Sequence, residues 1–135
     1  ELAKSQIDRG ADVIYHAAGG TGIGVLQAAA DAGVLGIGVD SNQNYLHPGQ
    51  VLTSMLKRVD LATYDAMMDV NKGNFTPGIQ VMGLADDGVG YAVDDNNKAL
   101  ITPEMTAAVD AAKAKIISGE IVVHDYSSDG ACPVR

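Results

Sequence analysis

The sequence predicts an α/β fold, a three-layer lobe built on a parallel sheet. Three observations predict it. The stretch "ADVIYHAAGGTGIGV" (11–25) breaks a hydrophobic run with a glycine-rich turn and passes at once into a helical pattern. A second apolar run, "VLGIGVD" (34–40), completes strand, helix and strand within about 30 residues, the span of a βαβ unit. That unit forces parallel strands and a right-handed crossover. Strand-like and helix-like segments then continue to alternate, with no internal repeat and no low-complexity linker.

Taken in order, "ELAKSQIDRG" (1–10) reads as the second half of a helix, with Leu2, Ala3 and Ile7 on its apolar side and Gly10 as its stop. "ADVIYHAA" (11–18) reads as a strand covered on both faces. "TGIGVLQAAADAG" (21–33) carries a crude apolar face at Ile23, Val25, Leu26, Ala29 and Ala30, with Thr21 as N-cap and Gly33 as the terminal glycine. "VLGIGVD" is the second buried strand, ending in Asp40, and "SNQNYLHPGQ" (41–50) is polar loop. From Val51 to Val70 the apolar residues Leu52, Met55, Leu56, Val59, Ala62, Ala66 and Met67 fall at spacings of three and four, which predicts one helix. "IQVMGL" (79–84) and "VGYAV" (89–93) predict two short strands around the acidic turn "ADDG". "TPEMTAAVDAAKAKIISGE" (102–120) is the best-punctuated helix, with Thr102 as cap, Pro103 in the first position, Glu104 in the first turn and Gly119 as stop. "IVV" (121–123) predicts a last strand, and "HDYSSDGACPVR" an irregular tail.

Composition narrows the function classes. The chain has 135 residues, about one domain. A net charge of −8 argues against nucleic acid, whose binders need clustered Lys and Arg to displace counterions. It equally offers nothing to an anionic membrane surface. No stretch approaches the roughly 18 apolar residues of a membrane span. The lone cysteine, Cys132, excludes an internal disulfide. "ELAKSQIDRG" shows neither an initiator Met nor a signal pattern, and the expectation is a piece of a longer protein.

The candidate sites are few. The glycine turn lacks the Lys of a P-loop. Its Gly20, Gly22 and Gly24 are spaced two and two, one residue off the dinucleotide fingerprint. Either a ligand approaches its backbone or the glycines only let strand and helix meet closely. Asp40 stands at the carboxyl end of a strand, where ligands of open α/β sheets bind. Its carboxylate can accept two hydrogen bonds from vicinal hydroxyls, as in a sugar, or it caps the turn after the strand. Lys57 alone reads as a solvated charge. His16, His47 and His124 have no neighbours at metal-ligand spacing, so no metal is expected. Ser41, Ser54 and Cys132 lack a recognisable base, and the acids Asp86, Asp87, Asp94 and Asp95 read as solvated turns. No catalytic set emerges.

The pieces "GADVIYHAAGGTGIGV", "IGVDSNQ", "VLTSMLKRVD" and "SGEIVV" together resemble the basic membrane protein family, extracytoplasmic substrate-binding proteins of ABC transporters similar to purine nucleoside receptors. The resemblance runs over essentially the whole chain. It implies a type I periplasmic binding protein, with two flavodoxin- or Rossmann-like α/β lobes joined by three crossings and a ligand cleft between them. On that frame residues 1–50 and 79–135 belong to the C-terminal lobe. Residues 51–78 then form a crossover helix that packs on an N-terminal lobe outside this chain.

By position in the family motifs, the ligand-binding residues are Tyr15, Gly20, Asp40 and Lys57. Asp40 of "GVDSNQ" matches the acid on the ribose hydroxyls, and Lys57 of "TSMLKR" a basic residue on the hinge side. Tyr15 matches an aromatic position that sandwiches the base, often Phe in the family. Gly20 matches a turn whose backbone approaches the ligand. "DSNQ" stands where "DSDQ" is commoner, one charge fewer beside the cleft. The implied partners are a nucleoside and an ABC transporter permease. No catalysis, cofactor or metal is implied. The implied location is periplasmic or cell-surface, with the lipid anchor outside this chain. Competing readings are the same fold with another heterocycle or a sensing role, a Rossmann-like nucleotide-using enzyme, and an isolated lobe whose exposed face self-associates as a homodimer.

Overall fold

The computed structural model describes residues 1–132. They form two units, Glu1–Thr102 and the segment from Pro103 onward. The first runs α1 (Leu2–Asp8), β1 (Val13–Tyr15), α2 (Gly22–Asp31), β2 (Leu35–Gly38), β3 (Val51–Lys57), α3 (Val59–Lys72) and β4 (Val89–Tyr91). The sheet has the order β1-β2-β3-β4. β1 and β2 pair in parallel, with Val13 opposite Leu35 and Tyr15 opposite Ile37. β2 and β3 are also parallel, with a register shift between Gly36 and Ile37. β4 runs antiparallel to β3, Val89 opposite Lys57. The α/β architecture with its parallel βαβ unit is the one the sequence predicts.

The local causes are mostly those read from the chain. α1 stops at Gly10, whose φ of 95° suits glycine, and Gly33 (φ 72°) closes α2 in the same left-handed way. α2 packs on β1 and β2, and α1 packs against α2. The contact is close because Gly36 presents no side chain there; a Cβ would stand 2.7 Å from Leu26 Cδ2. Leu26, Ala29, Ile14 and Val51 are buried at this junction, with Ala3 and Ala92. Burial of this small apolar set, at about 25 cal/mol per Å², holds α2 to the sheet.

Several elements differ from expectation. Val51–Val70 is not one helix: residues 51–57 are the long central strand β3, and α3 begins only at Val59. Apolar residues three and four apart satisfy both readings in so short a stretch. The flanking strands decide, because β2 and β4 give β3 a backbone partner on each edge. The "IQVMGL" strand is absent. Ile79 and Val81 are 94% and 87% exposed and unpaired, and only Leu84–Asp86 forms a 3-10 turn. β1 is an edge strand in which Ile14 alone is buried, not a strand covered on both faces. Thr21 stands at the N-cap position of α2 as expected, but its side chain makes no capping bond to the helix. Its hydroxyl donates to the Ala18 carbonyl at 2.6 Å, closing a 3-10 turn over Gly19–Thr21 that leads into the helix.

The second unit, described by itself, holds α4 (Pro103–Ile117) and the single turn α5 (Tyr126–Asp129). α4 starts on its proline and is followed by Gly119 at φ 79°, as its punctuation predicts. The Lys115 ammonium pairs with Glu120 at 2.9 Å just beyond the helix. "IVV" is not a strand: Val122 and Val123 are exposed and no strand forms there. The tail gains α5, whose Asp125 carboxylate accepts from the Ser127 amide as an N-cap. The last part of the expected irregular tail, 133–135, lies outside the described residues.

Candidate functional site

Because β1, β2 and β3 are parallel, their carboxyl ends share one edge of the sheet. All four candidate residues fall there. Tyr15 is the last residue of β1 and Lys57 the last of β3. Gly20 lies in the 3-10 turn after β1, and Asp40 lies two residues beyond β2. This edge is where open α/β sheets bind ligands. Tyr15 is 57% exposed, and Gly20, Asp40 and Lys57 are exposed too. The structure pairs neither the Asp40 carboxylate nor the Lys57 ammonium with another described side chain.

Asp40 and Lys57 are brought together directly. The Lys57 backbone N–H donates to the Asp40 carbonyl at 2.9 Å, locking the turn after β2 to the end of β3. Asp40 itself has φ 71°, a left-handed backbone that costs a residue with a Cβ roughly 1–2 kcal/mol, less for Asp than for most. Such a conformation survives where neighbouring bonds over-determine it.

Those bonds come from a polar cluster that sequence reading missed. Gln43 Oε1 accepts from the Val39 N–H at 2.9 Å, bridging across Asp40. The Gln43 N–H donates to Ser54 Oγ (2.9 Å), and Ser54 Oγ donates to Asn44 Oδ1 (2.8 Å). Asn42 and Asn44 both donate side-chain amides to Asp94 Oδ2, at 2.6 and 3.2 Å. Asn44 and Ser54 are fully buried. The Asp94 turn is itself held by Asn97, which donates to the Leu52 and Ala92 carbonyls. Buried polar groups satisfied this completely rigidify their surroundings. Asp94 is therefore not the solvated turn acid its sequence context suggests. Two Asx-rich stretches, "DSNQN" and "DDNN", were the available signal, yet nothing local pairs residues 50 apart.

The Asn42 amide, followed by the Asn96 backbone N–H, holds the Asp94 carboxyl below the ordinary carboxylate range against an opposing effect of burial, and the Asn44 amide adds a smaller lowering. A folded-state value below the unfolded one means the folded chain binds fewer protons. This contribution is complete above the unfolded value of about 3.9 and fades as pH falls through the folded value. Urea midpoints should therefore show Asp94→Asn weaker than the parent at neutral pH, with the gap closing as acid protonates Asp94. A gap constant from neutral to low pH would contradict this.

His16, considered only as a metal ligand, has a different place. It is 94% buried, given its 6% exposure, and both ring nitrogens lack a hydrogen-bond partner among the described residues. The ring lies against the Gly22 Cα at the start of α2, under the glycine turn. Among the described residues no cluster of His, Cys, Asp and Glu forms a metal site, and no helix is long and apolar enough to cross a membrane.

A separate concavity of about 750 Å³ lies between α3 and the irregular segment after it, lined by Lys57, Val59, Ala66, Phe75, Val81 and Met82 among others. Lys57 joins it to the rim; Tyr15, Gly20 and Asp40 do not line it. Val59, Tyr64, Met67 and Val70 of α3 are all more than half exposed, so this helix presents an uncovered apolar surface.

Comparison with known proteins completes the description. The family described as ABC transporter substrate-binding protein PnrA-like matches residues 1–127. The chain is 36% identical to the CD4+ T-cell-stimulating antigen of Listeria monocytogenes, over 91% of this chain and 38% of that protein. It is 38% identical to basic membrane protein D of Borreliella burgdorferi, over 67% of this chain and 28% of the relative. A solved ABC transporter solute-binding protein from Aeropyrum pernix superposes with a TM-score of 0.75 at 27% identity, covering 94% of this chain and 45% of that one. The chain thus spans less than half the length of each of these proteins. With the motif blocks, the parallel sheet and the family match in agreement, the chain belongs to the PnrA-like, basic membrane protein family of ABC transporter substrate-binding proteins.

Proposed function

We propose that this chain is the later part of a two-lobed extracytoplasmic receptor that binds a nucleoside, of the purine class, and delivers it to an ABC transporter permease. The observation that carries the reading is the Lys57 N–H to Asp40 carbonyl bond, which fixes an acid and a base side by side at the carboxyl edge of the parallel sheet. Beside them stand the aromatic Tyr15 and the backbone of the Gly19–Thr21 turn. A nucleoside is neutral, with a flat π face and vicinal hydroxyls. An aromatic ring suits the first, a carboxylate the second, and exposed turn N–H groups the heteroatoms of the base. Nothing in this set forms a nucleophile–base pair, so the role is capture rather than chemistry.

The receptor reading also accounts for the apolar face of α3 and the segment after it. Its occupant is the N-terminal lobe, contributed by the part of the longer protein that this chain does not span. The crossover segment is therefore shorter than 51–78: residues 51–57 are held in the sheet of this unit, and α3 with the segment after it makes the crossing. Closure of two lobes over the rim buries the ligand and presents a changed surface to the permease. A receptor of this kind works outside the cytoplasm, tethered by a lipid anchor on the full-length protein.

Isothermal titration of inosine, guanosine and adenosine into the full-length protein tests the assignment, with the 135-residue chain run alongside. Binding by the full-length protein and not by the shorter chain is the expected result, since one wall of a cleft is insufficient. Absence of heat with all three nucleosides would remove the nucleoside assignment and leave the family and fold in place.

A further inference from the structure

Asp40, the acid that would read a ligand here, has its backbone in a costly left-handed conformation. What holds it there is remote in sequence. Gln43 clamps Val39 from one side and Lys57 holds the Asp40 carbonyl from the other. The residues between are fastened by their amides. Asn42 Oδ1 accepts from the Asn44 N–H at 3.0 Å while its Nδ2 donates to Asp94, so Asn42 links the turn to an anchor 52 positions away. Asn44 completes a relay from Ser54 on β3 to the same carboxylate oxygen. The second Asp94 oxygen accepts from the Asn96 N–H at 2.7 Å, and the Asp94 N–H donates to Asn97 Oδ1 at 2.8 Å, so the anchor cannot drift. Asp94 is the one ionised group of the cluster, and its oxygens receive every bond that reaches the turn from this side.

We propose that Asp94, acting through Asn42 and Asn44, is a positioning residue that sets the Asp40 carboxylate and so makes the rim selective for ligands carrying vicinal hydroxyls. The proposal rests on the nucleoside reading for its ligand but not for its geometry. Asp94 touches no ligand itself. Replacing its carboxylate with an amide puts an NH2 group, or a single remaining acceptor, against two amide donors. The turn then loses its charged anchor while keeping its volume. Released from one side, residues 40–44 relax, and Asp40 leaves the orientation in which two hydroxyls can bond to it at once.

The test uses the full-length protein with Asp94→Asn and, as a variant on an exposed side chain that leaves the buried cluster in place, Asn42→Ala. Affinities for a ribonucleoside and its 2′,3′-dideoxy analogue are measured by calorimetry, and backbone exchange by hydrogen–deuterium NMR at Val39, Lys57 and Leu35. The wild type should prefer the ribonucleoside by about tenfold or more, the scale of charge-assisted hydrogen bonds. Both variants should lose that preference by weakened ribonucleoside binding, with dideoxy affinity unchanged. The Val39 and Lys57 amides, bonded to Gln43 and Asp40, should accelerate about tenfold more than Leu35, bonded to Asp12 between β1 and β2, whose rate should change only by the factor that the lowered urea midpoint implies. A preference kept in both variants overturns the proposal. Equal loss of affinity for both ligands, or the same acceleration at all three amides, also overturns it, because that is general destabilisation. If the wild type itself shows no preference, the nucleoside reading fails and exchange alone decides: local acceleration supports the positioning role and unchanged rates refute it.

Discussion

Asp40→Gly should leave stability unchanged or raise it by up to about 1 kcal/mol while lowering nucleoside affinity about a hundredfold or more. The two effects have separate causes. At φ 71° a glycine pays no Cβ penalty, which offsets the greater freedom glycine gains in the unfolded chain. The Lys57 N–H bond to the residue-40 carbonyl is a backbone bond and survives the change. What disappears is the carboxylate. A hydrogen bond to a charged acceptor contributes about 1.5–3 kcal/mol, so two of them account for at least about 3 kcal/mol, or a hundredfold. Urea unfolding and calorimetry on the same preparation separate the two effects. The competing reading of Asp40, a cap for the turn after its strand, makes the opposite forecast, since a glycine closes that turn equally well. Retained affinity in Asp40→Gly would favour the cap and end the ribose role.

Gly22→Ala is expected to destabilise the chain by about 1–3 kcal/mol, the range for overpacking a filled interior. The backbone of Gly22 is ordinary helix, so conformation is not the reason. Space is. A Cβ there would overlap the His16 ring, and that ring is buried. The substitution should displace the imidazole, and with it the glycine turn that carries Gly20. His16→Ala opens the space, so the double variant should recover much of the loss. A double-mutant cycle from urea midpoints measures this as a coupling of about 1 kcal/mol or more. Additive effects would mean that ring and helix start do not constrain each other.

The legible parts of this protein were those whose cause is local. Gly10, Gly33 and Gly119 end helices because left-handed backbone is free to glycine, and that can be read from the residue alone. Pro103 opens α4 for an equally local reason. The βαβ spacing, the strand-end placement of Asp40 and the βα position of the glycine turn follow from hydrophobic runs of sufficient length. Where a segment was short, periodicity misled. Residues 51–57 match helical spacing, yet their fate depends on whether strands stand beside them, and β2 and β4 do. Residues 79–84 and 121–123 are apolar enough for strands but have no partner in the described chain, and a lone strand leaves its backbone unsatisfied.

The site divides along the same line. Fold class, family and the candidacy of Tyr15, Gly20, Asp40 and Lys57 are legible along the chain, because motif, turn chemistry and strand ends are written in neighbouring residues. Long-range packing is what gives Asp40 and Lys57 a shared backbone hydrogen bond, anchors the turn between them on Asp94, and sets His16 in the space Gly22 leaves. The physical reason is range: helix ends and turns are fixed within a few residues. A hydrogen bond between Asn42 and Asp94 exists only once the sheet has brought the ends of β2 and β4 to the same place.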